Sequence, residues 1–187
     1  MSFESQIIIL TGEKGSGKTL VCNALVKKFS GSIQRISGII SLGQYENGKK
    51  IAICAFDLST GERKMLAHYS PGWDPDKPQR EWRFDQEALN WGNEVLTKAT
   101  PTDLLFIDEI GYLEFEKNEG WNNALKILDS GKFHYAVIVV RPSLLETAKS
   151  RYPDAEVHQL FSKTDIETMI TQLIKRLSIL QANKKPR

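Results

Sequence analysis

The segment GEKGSGKT, Gly12 to Thr19, constrains the fold of this chain more than any other stretch of its sequence. It fits the pattern G-x-x-x-x-G-K-[ST] and follows an all-apolar run, Gln6 to Gly12. That run predicts a strand buried on both faces, as in a parallel sheet. A helical pattern comes next, carried by Leu20, Val21, Ala24, Leu25 and Phe29. The order strand, glycine-rich loop and helix is the one that this motif requires.

A loop of this kind binds phosphate, because its glycines let successive backbone N–H groups point inward. The N-terminus of the following helix adds the positive end of its dipole. We expect Lys18 to bridge the β- and γ-phosphates and act in catalysis, and the Thr19 hydroxyl to bind Mg²⁺. The expected binding residues are Gly12, Glu13, Lys14, Gly15, Ser16, Gly17, Lys18, Thr19 and Leu20.

A second buried strand, DLLFIDE, ends in the acid pair Asp108 and Glu109. We expect Asp108 to hold Mg²⁺, usually through water, and Glu109 to polarise a water for attack on the γ-phosphate. The same letters also spell Asp108-x-x-Gly111, the pattern of a GTP-driven switch. Such a switch needs an Asn-Lys-x-Asp element to read guanine, and the chain contains none. The acid pair therefore favours a hydrolase.

An arginine could stabilise the charge of the transition state, and Arg141 is the first candidate. It follows the third buried strand, 134–140, at the end of the sheet where ligands gather. The alternative is a surface arginine at a strand exit. Arg80 and Arg83 fall in a proline-rich segment, 70–83, that we predict as a loop. This loop is either a lid that delivers an arginine or a surface loop packed by its tryptophans.

The middle of the chain differs from its flanks. Asn47-Gly48 is a strong hairpin signal and Thr60-Gly61 marks a second turn, so we predict an antiparallel meander over about 36–69. Around it, strands alternate with helices, which implies a mainly parallel sheet. The predicted fold class is α/β: a P-loop NTPase three-layer sandwich with helices on both sheet faces and this inserted meander.

The remaining helices are predicted from apolar spacing and from start signals. Two capping boxes are expected, Ser143 with Glu146 and Thr164 with Glu167, and VHQL is a short last strand. The apolar helix faces are Phe84, Ala88, Trp91 and Val95; then Trp121, Ala124, Leu125 and Leu128; and finally Ile166, Met169, Ile170, Leu173, Ile174 and Leu177.

Length and composition restrict the setting of this chemistry. The 187 residues fit one domain, 1–187, and no apolar run approaches the ~20 residues of a membrane helix. No basic segment precedes the first apolar run, and Cys22 and Cys54 stand apart, so we expect a reducing, cytoplasmic location. A net charge of +2 says nothing about nucleic acid. The one basic cluster, 184–187, is more typical of a solvated tail than of a binding arm, so we do not expect nucleic acid as a partner. The sequence names no protein partner, and the three histidines show no metal-ligand spacing.

The motifs TGEKGSGKTL, SGIISLG with ENGKKIAICAFDLSTGERKMLA, and DLLFIDEIGYLEFE together resemble a known family. It is the family of small P-loop nucleoside-triphosphatases first described from thermophiles, which includes the human cancer-related nucleoside-triphosphatase. The resemblance runs from Ile7 to about Leu160. It implies one P-loop α/β domain that hydrolyses nucleoside triphosphates with Mg²⁺, slowly and with little base selectivity. Departures from the family occur at Lys14, Leu20 and Tyr112, and Glu114 matches a family glutamate without a clear role.

The resemblance implies phosphate binding by Gly12 to Thr19, metal linkage at Asp108 and water activation at Glu109. The expected reaction is hydrolysis of a nucleoside triphosphate such as ATP or GTP. Two alternatives stay open on the sequence: a nucleotide or small-molecule kinase, and an NTP-gated binding module with negligible turnover.

Overall fold

The computed structural model describes residues 5–71 and 82–178 of the chain. Its strands are β1 (Gln6–Thr11), β2 (Ile36–Glu46), β3 (Lys49–Asp57), β4 (Arg63–Tyr69), β5 (Trp82–Phe84), β6 (Thr102–Ile110), β7 (Phe133–Val140) and β8 (Glu156–Gln159). They form one sheet in the order β5-β4-β3-β2-β6-β7-β1-β8. Strands β2, β6, β7, β1 and β8 are parallel, and β2 to β5 pair antiparallel. The predicted last strand, VHQL (157–160), is confirmed as β8, which lies one residue earlier.

The meander extends the parallel sheet sideways instead of forming a layer of its own. Strand β2 belongs to both halves, since it pairs parallel with β6 and antiparallel with β3. Asn47 and Gly48 connect β2 to β3 with φ angles of 49° and 76°. Two positive φ angles are what a tight two-residue hairpin needs, so the Asn-Gly signal was correct.

Helices cover both faces of the sheet, as predicted. They are α1 (Lys18–Phe29), α2 (Gln86–Lys98), α3 (Ala124–Asp129), α4 (Leu145–Arg151) and α5 (Ile166–Leu177). Helices α1 and α5 share one buried cluster, which takes alternate strand residues such as Ile8 and Leu10. Helices α2, α3 and α4 share the other cluster, which includes Ile9, the residue between Ile8 and Leu10 in the same strand. The fold is therefore the three-layer α/β sandwich of P-loop NTPases, and no helix in the described residues is long and apolar enough to cross a membrane.

Three predicted helix faces were wrong in part. In one of them Trp121 lies before α3, which begins at Ala124. Phe84 lies in the edge strand β5, not in α2, because Asp85 begins the helix by accepting a hydrogen bond from the Ala88 amide at 2.8 Å. Arg83 is also in that strand, so the predicted loop ends earlier than expected. Residues 72–81, with Arg80, lie outside the described residues. Leu20 is 55% exposed and does not belong to the buried face of α1.

Both predicted capping boxes were also wrong. At the first site a short 3-10 turn, Pro142–Leu144, precedes α4, and no side chain caps either element. At the second site the box lies two residues earlier and joins Ser162 to Asp165. Several Ser, Thr, Asp and Glu side chains compete at this position, and the spacing rule does not say which pair the chain path brings together.

Candidate active site

The phosphate loop follows β1 and curves tightly into α1. Gly12 has a φ of 154°, and a Cβ atom there would stand 2.2 Å from the Leu160 carbonyl oxygen. Gly17 has a φ of 109° and is the N-cap of α1, with no side-chain cap hydrogen bond. Glycine is required at both positions because other residues rarely adopt positive φ. The curve leaves the first-turn amides of α1 facing the loop.

Lys18 is buried and reaches back across the loop. Its Nζ donates hydrogen bonds to the carbonyl oxygens of Gly12, at 2.5 Å, and Glu13, at 2.8 Å. Burial lowers the pKa of the Lys18 ammonium, while the carboxylates of Glu109 and Asp108 raise it. The ammonium is therefore positioned between the loop and the acid pair.

Asp108 lies directly beside the phosphate loop. It is only 2% exposed, and while burial raises the pKa of the Asp108 carboxylate, the Thr19 side chain is close enough to lower it. Strand β2 supplies Ser41, whose amide donates to Asp108 Oδ2 at 3.2 Å and whose hydroxyl donates to the Asp108 carbonyl at 2.6 Å. Burial raises the pKa of Asp108 to about 6, against the opposing effect of Thr19 and the Ser41 amide. The two residues expected to hold the metal thus lie side by side.

Strand order explains why distant segments meet here. Strands β6, β7 and β1 are neighbours in the sheet, and all three are parallel. Their carboxyl ends therefore share one edge, where ligands bind in open α/β sheets. That edge carries Asp108 and Glu109 from β6, Arg141 from β7 and the loop from β1.

Glu109 and Arg141 contact each other. Arg141 Nε donates to Glu109 Oε1 in an ion pair whose side chains are 60% (Arg141) and 37% (Glu109) exposed. The hydrogen bond to Glu109 raises the pKa of Arg141. We predicted separate partners for these residues, a water for Glu109 and the γ-phosphate for Arg141. The structure brings them together at the edge of the site, so each one restrains the other.

The donor atoms fit a magnesium ion. Thr19 and Asp108 offer a hydroxyl and a carboxylate, and Mg²⁺ prefers oxygen ligands. Among the described residues no group of three or more His, Cys, Asp or Glu side chains could hold a metal. Two protein oxygens suit Mg²⁺, because this ion usually keeps several waters and takes further oxygens from phosphates.

The other loop residues divide by exposure. Glu13, Lys14 and Gly15 are exposed on its outer side, and Leu20 is exposed in the first turn of α1. Ser16 is buried, and its hydroxyl has no hydrogen-bond partner in the described structure. A buried hydroxyl without a partner is costly, and a phosphate oxygen at the loop would satisfy it. Arg83 lies apart, on the edge strand β5 at the end of the sheet away from β1.

Glu114 has a structural task that the sequence did not reveal. Its buried carboxylate accepts hydrogen bonds from the amides of Gly111 and Trp121, both at 2.7 Å. Burial raises its pKa, and the two amides oppose that shift. These bonds fix the segment that follows Glu109. They also occupy the amide of Gly111, the residue that suggested a GTP switch. The match to a family glutamate was the only signal for this residue, and no local pattern pointed to Ser41.

Comparison with known proteins adds the family. A family model described as NTPase matches residues 7–170. The nucleoside-triphosphatase THEP1 of Caldivirga maquilingensis is 25% identical over 128 residues, which are 68% of this chain and 72% of the relative. THEP1 of Methanocaldococcus jannaschii is 27% identical over 113 residues, and the match covers 60% of this chain and 65% of the relative.

Two solved structures share the fold. The solution structure of a human cancer-related nucleoside triphosphatase has a TM-score of 0.67 at 18% identity and covers 96% of this chain and 100% of its own. The crystal structure of THEP1 from Aquifex aeolicus has a TM-score of 0.65 at 18% identity, and the match covers 92% of this chain and 99% of that structure's chain. The family model spans most of the sequence, and this chain therefore belongs to the NTPase family of nucleoside-triphosphatases.

Proposed function

We propose that this protein hydrolyses nucleoside 5'-triphosphates to the diphosphate and phosphate, with Mg²⁺ and with little discrimination between bases. The observation that carries this proposal is the position of the buried Asp108 carboxylate beside the phosphate loop, where burial raises its pKa and the Thr19 side chain opposes that shift. The names of the relatives support a triphosphatase in general. The Mg²⁺ requirement is supported by the oxygen ligands that Thr19 and Asp108 offer, and the low base selectivity is what the family resemblance implies. The sequence also contains no guanine-reading element.

In the proposed mechanism the loop amides and Lys18 hold the polyphosphate. Thr19 and Asp108 would hold Mg²⁺, which neutralises phosphate charge when it is bound. Glu109 accepts a proton from a water molecule as the water oxygen bonds to the γ-phosphorus. The bond from that phosphorus to the bridging oxygen breaks, and the diphosphate leaves with the electron pair. Arg141 orients the Glu109 carboxylate through their ion pair.

Phosphate release from ATP, GTP and CTP, with Mg²⁺ or with a chelator, tests the proposal. We expect release from all three with Mg²⁺, at rates within about tenfold of one another, and none with the chelator. Lys18→Ala removes the ammonium that grips the phosphates and should reduce release by about 10³-fold. Lys28→Ala, at the exposed far end of the same helix, is the matched control and should behave as wild type.

Three outcomes would overturn the proposal. The first is release that Lys18→Ala leaves undiminished. The second is diphosphate formation that depends strictly on an added acceptor, which would indicate a kinase. The third is tight nucleotide binding without measurable turnover, which would indicate an NTP-gated binding module.

A further inference from the structure

Lys50 lies near the site, although we assigned it no role from the sequence. It is half-buried on β3, directly after the hairpin turn. Its Cε stands 2.8 Å from the position that a Cβ atom on Gly43 would occupy. The Lys50 side chain therefore crosses β2 in the space that the glycine leaves open.

This path brings Lys50 to the sheet edge that holds the acid pair. Strand β2 pairs with β6 only as far as Ile39 with Ile107, so Ser41 and Gly43 lie beyond the paired part, at the carboxyl edge of the parallel strands. Ser41 donates both of its hydrogen bonds to Asp108. The β2–β3 pairing shifts register only after Gln44, so Ser41 and Gly43 lie in its regular part. The Lys50 side chain consequently extends over β2, the strand whose Ser41 contacts Asp108.

The electrostatics of Lys50 agree with that position. Burial is the largest influence on its pKa and lowers it. The carboxylates of Asp108 and Glu109 raise the pKa of the same ammonium. The cations Lys14 and Arg141 lower it. Lys14 belongs to the phosphate loop and Arg141 follows β7, so the charged groups that act on Lys50 are all residues of the site described above.

The positive charge of the Lys50 ammonium would serve phosphoryl transfer at this site. The transferred phosphoryl group spreads negative charge over three oxygens, and a cation placed there stabilises the transition state. Arg141 is already paired with Glu109, and Lys18 with the loop carbonyls. The Lys50 ammonium also lies 5.5 Å from the centre of the Trp82 ring, a contact that restrains the long side chain without removing its charge.

We propose that Lys50 is a further catalytic residue of this site, whose ammonium contacts the γ-phosphoryl group and stabilises the charge that develops during transfer. This inference rests on the proposed hydrolysis. It makes the β2–β3 hairpin, which lies outside the parallel core, a part of the catalytic site.

The test compares Lys50→Ala with Lys49→Ala, its exposed neighbour on the same strand, and with Lys50→Arg. Lys50→Ala should lower kcat by about 10²-fold, the effect of one donor to a developing anion. It should change the affinity for a non-hydrolysable triphosphate by less than about threefold, and weaken binding of the diphosphate with aluminium fluoride by about the same factor as kcat. Lys49→Ala should match wild type, and Lys50→Arg should recover part of the rate.

Gly43→Ala provides a second variant, which keeps the positive charge of Lys50 but changes its position. A methyl group there would meet Lys50 Cε at 2.8 Å and the exposed Tyr45 ring at 2.9 Å. Both side chains can move outward, so kcat should fall as Lys50 is displaced while the melting temperature changes little. The inference is overturned if wild type releases phosphate and Lys50→Ala releases it within twofold of Lys49→Ala. It is also overturned if Lys50→Ala weakens the triphosphate analogue and the aluminium fluoride complex equally. Absence of release from wild type would instead refute the proposed function.

Discussion

The two walls of the active site are built in opposite ways. One wall, the phosphate loop Gly12–Thr19, is a single stretch of chain held by its own glycines and by Lys18. The other, which we call the facing wall, consists of Ser41, Lys50, Asp108, Glu109 and Arg141 and comes from four strands, β2, β3, β6 and β7. The loop wall depends on local geometry, and the facing wall depends on strand order.

This difference also appears in burial and charge. Lys18 and Asp108, where the walls meet, are buried, whereas Glu109 and Arg141 are open to solvent. Charged groups interact more strongly where water is excluded. Changes at the junction of the walls should therefore affect stability as well as rate, and changes at the open edge should affect rate almost alone.

Among changes in the facing wall, Glu109→Gln should reduce the rate of phosphate release the most. An amide cannot take a proton from water, so phosphate release should fall by about 10²- to 10⁴-fold while a triphosphate analogue still binds. Single-turnover kinetics and calorimetric titration measure the two effects. Glu146→Gln, in the exposed pair with Lys149 on α4, is the control. Unchanged turnover would remove Glu109 from the mechanism.

Asp108→Asn tests the junction of the walls through pH. Burial raises the Asp108 pKa from 3.8 to about 6, so between these pH values the folded protein holds a proton that the unfolded chain releases. Protonation of Asp108 therefore stabilises the fold as the pH falls from 7 to 5. Its share of the unfolding free energy should rise by about 1.3 kcal/mol over this interval, because the pH falls about one unit below the folded pKa and one pKa unit corresponds to about 1.4 kcal/mol.

Urea unfolding of wild type and Asp108→Asn at pH 7 and 5, with a chelator present, measures that share as the difference between the two proteins. The neutral amide has no such titration. An identical pH dependence in both proteins would show that Asp108 does not carry the raised pKa.

Arg141→Ala should have the smallest effect on stability. Its ion pair with Glu109 is exposed, and exposed pairs contribute less than about 1 kcal/mol. Arg151→Ala, which breaks the exposed pair with Asp129 away from the site, is a matched comparison. Equal small losses in urea unfolding are expected for both variants. If Arg141→Ala alone lowered the unfolding free energy by more than about 2 kcal/mol, the Arg141–Glu109 pair would be as shielded from solvent as Lys18 and Asp108.

Much of the fold was predictable because its signals are local. Apolar runs predicted β1, β6 and β7, and the Asn47-Gly48 pair predicted the hairpin, since each depends on a few neighbouring residues. Helix starts were less predictable. Ser143 with Glu146 and Thr164 with Glu167 both have the right spacing for capping boxes. Neither box forms, and at the second site Ser162 pairs with Asp165 instead.

The facing wall was only partly predictable. Asp108, Glu109 and Arg141 were found because each lies at or just after the end of a buried strand. Nothing in the sequence near Arg141 shows that it pairs with Glu109. Ser41 and Lys50 lie in segments that resemble the family but carry no chemical signal of their own, because a serine and a lysine in a meander are ordinary residues until the neighbouring strand is known.

The sequence by itself determined the strand, loop and helix around Gly12–Thr19, because glycine conformation, the helix dipole and one lysine act over a few residues. Only the tertiary structure decided what stands opposite this loop. The order β3-β2-β6-β7-β1 brings Lys50, Ser41, Asp108 and Arg141 to one place. Hydrogen bonding and packing between strands far apart in the chain set that order, and no short-range pattern contains it.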